Sequence, residues 1–312
     1  MQPDRLLDAA PNLLVEFGRS SGWSISARMT AHLDSKKLAS LSSGMSWPGD
    51  DRRQGARHIW FLNAAFDRIA FDTALKRVAD RPADHPFAFV VTPNVDHLVR
   101  LQRESVLAHL YAQAWLTVCD SRVLELIADL SGEALDVTTG ADLTAAVFEQ
   151  VIEPDEPIVI IGGNDAVIAG LKARYGLKDV RWHQPPMHLR HKPDAIAECA
   201  AFVADNPARF TFLCVGSPQQ ELVAEACLER GDCTGVGLCV GASLDFLSGQ
   251  ARRAPKWVQS LRLEWLFRLA EQPRRMWKRY LVDGSRIAFL WWCWRRDRKR
   301  VQAFEQRLLE RL

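Results

Sequence analysis

Ile158-Val159-Ile160-Ile161, followed at once by Gly162-Gly163-Asn164-Asp165, decides how the rest of the chain is read. Four consecutive β-branched residues after Pro157 are too short for a helix. They carry no polar alternation, so they spell a strand buried on both faces. The Gly pair stops the strand, and the apolar segment after Asp165 reads as a helix. Four more strands end in the same way. Phe87-Ala88-Phe89-Val90-Val91 runs into Thr92-Pro93-Asn94, and Trp115 to Cys119 runs into Asp120. Phe210 to Val215 precedes Gly216-Ser217-Pro218, and Thr234 to Val240 precedes Gly241-Ala242-Ser243.

Helical patterns fill the gaps, over Phe71 to Ala79, Val95 to Gln113, Ser121 to Leu130 and onward from about Ala141, and His58 to Leu62 opens the series as a strand. The alternation predicts an α/β protein with a Rossmann-like parallel sheet covered by helices on both faces. In such sheets ligands gather beyond the carboxyl ends of the strands, so the strand-ending motifs outline one rim of candidate chemistry.

Composition bounds the classes. A chain of 312 residues with 48% apolar and 25% charged residues is globular rather than disordered. No run approaches the roughly 18 apolar residues of a spanning helix, and the N-terminus lacks a basic-then-apolar leader, so a cytoplasmic protein is expected. The seven cysteines form no CxxC pair and read as reduced core residues. His183, His188 and His191 lie around Pro185-Pro186 without helical register, and no metal site is expected there.

The net charge of +2 conceals an asymmetry. Residues 251–312 hold 17 Lys/Arg against 6 Asp/Glu, leaving 23 against 32 for the rest. Three regions follow: an N-terminal extension over 1–55, a catalytic α/β domain over 56–250, and a basic helical appendage over 251–312. Six of the eleven tryptophans fall in that appendage. Tryptophan favours the bilayer interface, and Lys/Arg are drawn to anionic headgroups. The run Ile287 to Trp294 is about 12 Å long as a helix, too short to span but able to lie in the interface. Core packing is an adequate account of Trp257 and Trp265 and a poor one of Trp291-Trp292-Cys293-Trp294. Basic residues interleaved with aromatics also suit a nucleic-acid-binding protein, which is the competing reading.

Seven ordered blocks carry a resemblance: Thr92-Pro93-Asn94-Val95-Asp96-His97, Asp120, Thr139-Gly140-Ala141-Asp142-Leu143, Gly216-Ser217-Pro218-Gln219-Gln220-Glu221, Asp245-Phe246-Leu247-Ser248-Gly249, Arg253-Ala254-Pro255-Lys256-Trp257, and Glu264 to Leu269 with Pro273-Arg274-Arg275. Between about Val90 and Tyr280 the chain resembles the WecG/TagA/CpsF glycosyltransferases, glycosyltransferase family 26. The resemblance implies an inverting, metal-independent enzyme without a cofactor. Its donor would be a UDP-sugar carrying N-acetylmannosamine, its uronic acid or a glucose-type sugar, and its acceptor a polyprenyl-diphosphate-linked saccharide. It further implies cell-surface polysaccharide synthesis; the basic, tryptophan-rich tail points to peripheral attachment at the inner face of the cell membrane, no nucleic-acid partner is expected, and a homo-oligomer is left open.

Inversion needs a carboxylate within reach of the attacking hydroxyl, and Asp120 is the candidate base. Its alternative role is to cap the following helix. Where the family has Asp-Gly, this chain has Asp120-Ser121, and the added Cβ restricts the backbone there. Thr92 and Asn94 offer a hydroxyl and an amide to substrate, or else make a local turn. Gln220 follows a tight turn suited to the donor nucleotide, Glu221 suits the first turn of a helix, and Asp245 suits ribose or base. No Asp-x-Asp pair lies in a suitable loop, so the diphosphate charge falls to fixed cations. The resemblance assigns that part to Arg268 and Arg275, between which Pro273 predicts a break.

Overall fold

The structure, a computed structural model, describes residues 58–309 apart from 253, 256–257, 259–263, 272 and 278–283. The extension over 1–55 lies outside the described residues. A hairpin, β1 (His58–Phe61) and β2 (Ala64–Asp67), leads into α1 (Phe71–Ala79). Next come β3 (Ala88–Val91), α2 (Val95–Arg103), a 3-10 turn (Ser105–Leu107), α3 (Ala108–Ala112), β4 (Leu116–Thr117), α4 (Arg122–Asp129) and α5 (Gly140–Gln150). They are followed by β5 (Ile158–Gly162), α6 (Asp165–Tyr175), β6 (Val180–His183), α7 (Pro193–Asp205), β7 (Phe210–Cys214), α8 (Gln219–Arg230), β8 (Val236–Cys239) and α9 (Ser243–Leu247). Beyond these lie α10 (Glu264–Glu271), α11 (Pro273–Trp277) and α12 (Arg286–Leu309).

Six strands form one sheet in the order β4-β3-β8-β7-β5-β6, and every pairing is parallel. Successive side chains of a strand point to opposite faces, and here both faces are buried. Phe89 and Val91 of β3, Val159 and Ile161 of β5, and Leu213 of β7 join one apolar layer with α2, α3, α4, α7 and α8. Ala88, Val90, Ile158, Ile160, Phe210 and Phe212 join the other with α1, α5, α6 and α9. This double burial is the physical content of the uninterrupted apolar runs, and the α/β expectation holds.

Three local expectations are corrected. The His58 strand pairs antiparallel with β2 across Leu62-Asn63 and stays out of the main sheet, because two residues cannot make a parallel crossover. Asp67, at the end of that hairpin, accepts the Thr117 N–H at 2.8 Å and so ties it to edge strand β4. The single helix expected over Val95 to Gln113 breaks at Glu104, which leaves helical geometry and pairs with Arg190 at 2.6 Å.

The third correction concerns the tryptophan-rich run. Arg53–Arg295 form one compact unit, which includes the first part of α12. Ile287, Leu290 and Cys293 are buried in the body's core layer. Trp294 packs edge-on against Phe61 with ring centroids 5.1 Å apart, and Trp291 Nε1–H donates to Ser131 Oγ at 2.8 Å. Core packing therefore accounts for Trp291, Cys293 and Trp294. Phe289 and Trp292 face outward, 59% and 54% exposed, with their rings stacked at 6.1 Å.

The cysteines are free thiols and six of the seven are buried, in keeping with reduced core residues. Burial pushes the Cys199 thiol up to about 12. Gly170 lets α6 approach the end of α9, since a Cβ there would stand 2.7 Å from the Ser248 carbonyl oxygen. Gly170→Ala should gain up to about 1 kcal/mol in helix propensity and lose about 1–3 kcal/mol to that clash. A lowered urea midpoint is the expected result, and a raised one would show that the α6–α9 approach is not limiting.

Candidate active site

The carboxyl ends of β3, β4, β7 and β8 bring the sequence's candidate blocks to one rim, and backbone bonds stitch the loops together. Asp120 N–H donates to the Pro93 carbonyl at 3.0 Å, joining the loops after β4 and β3. Thr138 N–H donates to the Cys119 carbonyl at 3.0 Å, drawing the approach to α5 alongside. Asp120 itself is half-buried. Ser121 is the N-cap of α4, its Oγ accepting the Leu124 N–H at 3.2 Å. With φ −159° and ψ 113°, Ser121 sits in extended backbone that any residue adopts, so its Cβ imposes no strain where the family has glycine.

Thr92 is buried at the end of β3. Its hydroxyl donates to the Cys239 carbonyl at 3.3 Å, linking the ends of β3 and β8. Gly140, the first residue of α5, packs against it so closely that a Cβ would lie 3.0 Å from Thr92 Oγ1. Asn94 caps α2 with Oδ1 accepting the Asp96 N–H at 3.1 Å, as the local-turn alternative has it, and its amide nitrogen can still donate.

Gln220 is more enclosed than a donor-contacting residue was expected to be, at 2% exposure. Its Oε1 accepts the Gly241 N–H at 2.9 Å and its Nε2 donates to Glu221 Oε1 at 3.0 Å. Asp245 is half-buried on α9, and its negative charge adds to the burial that pushes the Cys214 thiol up. Arg268 lies on α10 and Arg275 on α11, separate helices with Pro273 opening the second, as the expected break requires. The side chains of both arginines lie outside the described ones.

The rim also contains a set of contacts that the sequence reading passed over, with Arg100 and Tyr111 not singled out at all. Arg100 Nη1 donates to Ser217 Oγ at 2.8 Å, and Nη2 pairs with Asp96 at 2.7 Å. The Tyr111 hydroxyl lies 3.3 Å from the same Ser217 oxygen. Glu221 is fully buried, and Oε2 has no hydrogen-bond partner among the described residues. Two signals were available. Asp96 and Arg100 have the i, i+4 spacing of a helix pair, and Gln220 and Glu221 fall on the face that carries Val223, Ala224 and Cys227.

An open groove, in two adjoining lobes of about 390 and 430 Å³, runs outside the rim beside α1, α4 and α5. Phe71, Arg122 and Val137 line both lobes. Arg122 and Thr139, which lines the second lobe, follow Ser121 and precede Gly140 directly in the chain.

Burial raises the pKa of Glu221, and the dipoles of Gln220 and Ser217 with the charge of Arg100 only partly offset it. A carboxyl whose folded pKa is raised favours the fold below the unfolded value near 4.5 and loses that contribution as pH rises through the folded one. Glu221→Gln cannot ionise, so its stability relative to the parent should increase from pH 5 to pH 8. Parallel denaturation curves at the two pH values would check this, and a constant difference would contradict it.

The family model described as the glycosyl transferase WecG/TagA/CpsF family matches residues 59–301. That span takes in all six strands of the sheet, every residue named in the rim, and most of α12. The chain belongs to the WecG/TagA/CpsF family of glycosyltransferases, enzymes of cell-surface polysaccharide synthesis that join a sugar donor to a lipid-linked acceptor.

Proposed function

We propose that the protein transfers a sugar from a UDP-sugar to a polyprenyl-diphosphate-linked saccharide with inversion, using Asp120 as general base. The observation that carries this reading is the setting of Asp120. It is a half-buried carboxylate-bearing residue at the end of β4, tied to Pro93 between Thr92 and Asn94, while Ser121 supplies the cap of α4. Family membership favours the transferase over a nucleic-acid-binding protein.

In the proposed step the acceptor hydroxyl passes its proton to the Asp120 carboxylate as its oxygen attacks the anomeric carbon. The bond from that carbon to the β-phosphate oxygen breaks, and the electron pair leaves with UDP. Fixed cations, Arg268 and Arg275, offset the charge that develops on the diphosphate, and the reading assigns no metal or cofactor. Asn94 and Asp245 hold substrate from either side, while Thr92 keeps β3 and β8 in register beneath them. The donor is N-acetylmannosamine, its uronic acid or a glucose-type sugar.

The reading places the enzyme peripherally on the inner face of the cell membrane. No described helix is long and apolar enough to cross a bilayer. The stacked pair Phe289–Trp292 faces outward between Arg286 and Arg295, and Trp277 of α11 and Leu266 of α10 are also exposed. Aromatics with basic neighbours suit an anionic interface.

Asp120→Asn should lower turnover by about 10²–10⁴-fold while UDP-sugar affinity changes little. Unchanged turnover would remove Asp120 from the role of base. Removing residues 251–312 would strip Ile287 and Leu290 from the core, so lipid contact is better tested by Phe289→Ser with Trp292→Ser. The double variant should retain its melting temperature and pellet poorly with vesicles containing anionic lipid. Equal pelleting of variant and parent would count against this surface.

A further inference from the structure

The Gln220 amide is held at both ends in a way that permits one orientation. A backbone N–H only donates, so the end that meets Gly241 must be Oε1, as it is at 2.9 Å. Nε2 is thereby turned to Glu221, whose Oε1 receives it at 3.0 Å and so carries no proton. Glu221 is fully enclosed and Gln220 is 2% exposed, so water competes little for these bonds.

Glu221 occupies an expensive position. It lies on the inward face of α8 beside Val223 and Ala224, where an apolar residue would avoid the cost of burying a carboxyl. It is fully enclosed, which rules it out as a group in contact with substrate. Its surroundings instead connect the loops of the rim. Arg100 of α2 and Tyr111 of α3 converge on Ser217, four residues before it, and Gln220 links it to the turn after β8.

The geometry points to Glu221 as the positioning residue of the donor site. It sets which way round the Gln220 amide lies, and through that amide it holds the Gly241 turn against the start of α8. The Gly241 turn then meets the nucleoside diphosphate of the donor in one preset arrangement. This inference rests on the donor reading proposed above.

Four proteins test it: the parent, Glu221→Leu, Gln220→Ala and the double variant. Glu221→Leu keeps the volume of the side chain and removes the acceptor. It should raise the Kd for UDP, read by titration calorimetry, and the donor KM by about tenfold, the scale of one buried hydrogen bond. The acceptor KM should move less than twofold, and Glu221→Gln, which retains an acceptor oxygen, should recover most of the loss. In the Gln220→Ala background, Glu221→Leu should weaken UDP binding no further. A full tenfold loss in that background would overturn the inference, because Glu221 would then act independently of Gln220. The melting temperatures of the same four proteins form a second cycle that needs no ligand. Non-additive shifts are expected, and additive shifts would overturn the link between residues 220 and 221. A parent that binds no UDP would count against the donor reading alone, leaving the melting cycle to judge the brace.

Discussion

A parallel sheet covered on both faces has no lateral surface on which to display chemistry. The apolar side chains of β3, β5, β7 and β8 each support one of two apolar layers, and the side chains that can meet a ligand are confined to the turns where strands stop. In this molecule the confinement gathers Asn94, Asp120 and Asp245 from three distant stretches of chain. The polar groups just beneath the rim are spent on holding the turns together: Thr92 joins β3 to β8, and Gln220 joins the turn after β7 to the turn after β8.

The rim therefore has two tiers. Asn94, Asp120 and Asp245 are half-buried and can contribute to a ligand site. Thr92, Gln220 and Glu221 are enclosed and act on those above them. Residues of both tiers fall within the same sequence blocks, because a brace must stand next to what it braces. A motif alone does not separate them; burial does.

The same distinction marks how far the sequence was legible. Five strands were readable because double burial leaves a run of apolar residues with no alternation. Edge strand β6 was not, since Val180-Arg181-Trp182-His183 is half-buried along its length and mixes charge with an aromatic. The break at Glu104 answers to Arg190, 86 positions away, and no local pattern encodes that pair. The inward packing of Ile287, Leu290 and Trp294 was written in their i, i+3, i+7 spacing. There, the density of tryptophan and arginine drew attention to composition and away from periodicity. At the rim, residue types were legible and their occupation was not: nothing in the order Gln220-Glu221 says that the amide faces a backbone N–H.

The two-sided character of α12 has a mechanical corollary. Its inner face is fastened to Phe61 of the hairpin and to Ser131, just past the end of the helix that Ser121 begins. Its outer face carries Phe289 and Trp292. Whatever surface that outer face settles on, its separation from Asp120 is fixed by packed side chains rather than by a tether of variable length. The height of the Asp120 loop above that surface is thus a fixed dimension of the folded body.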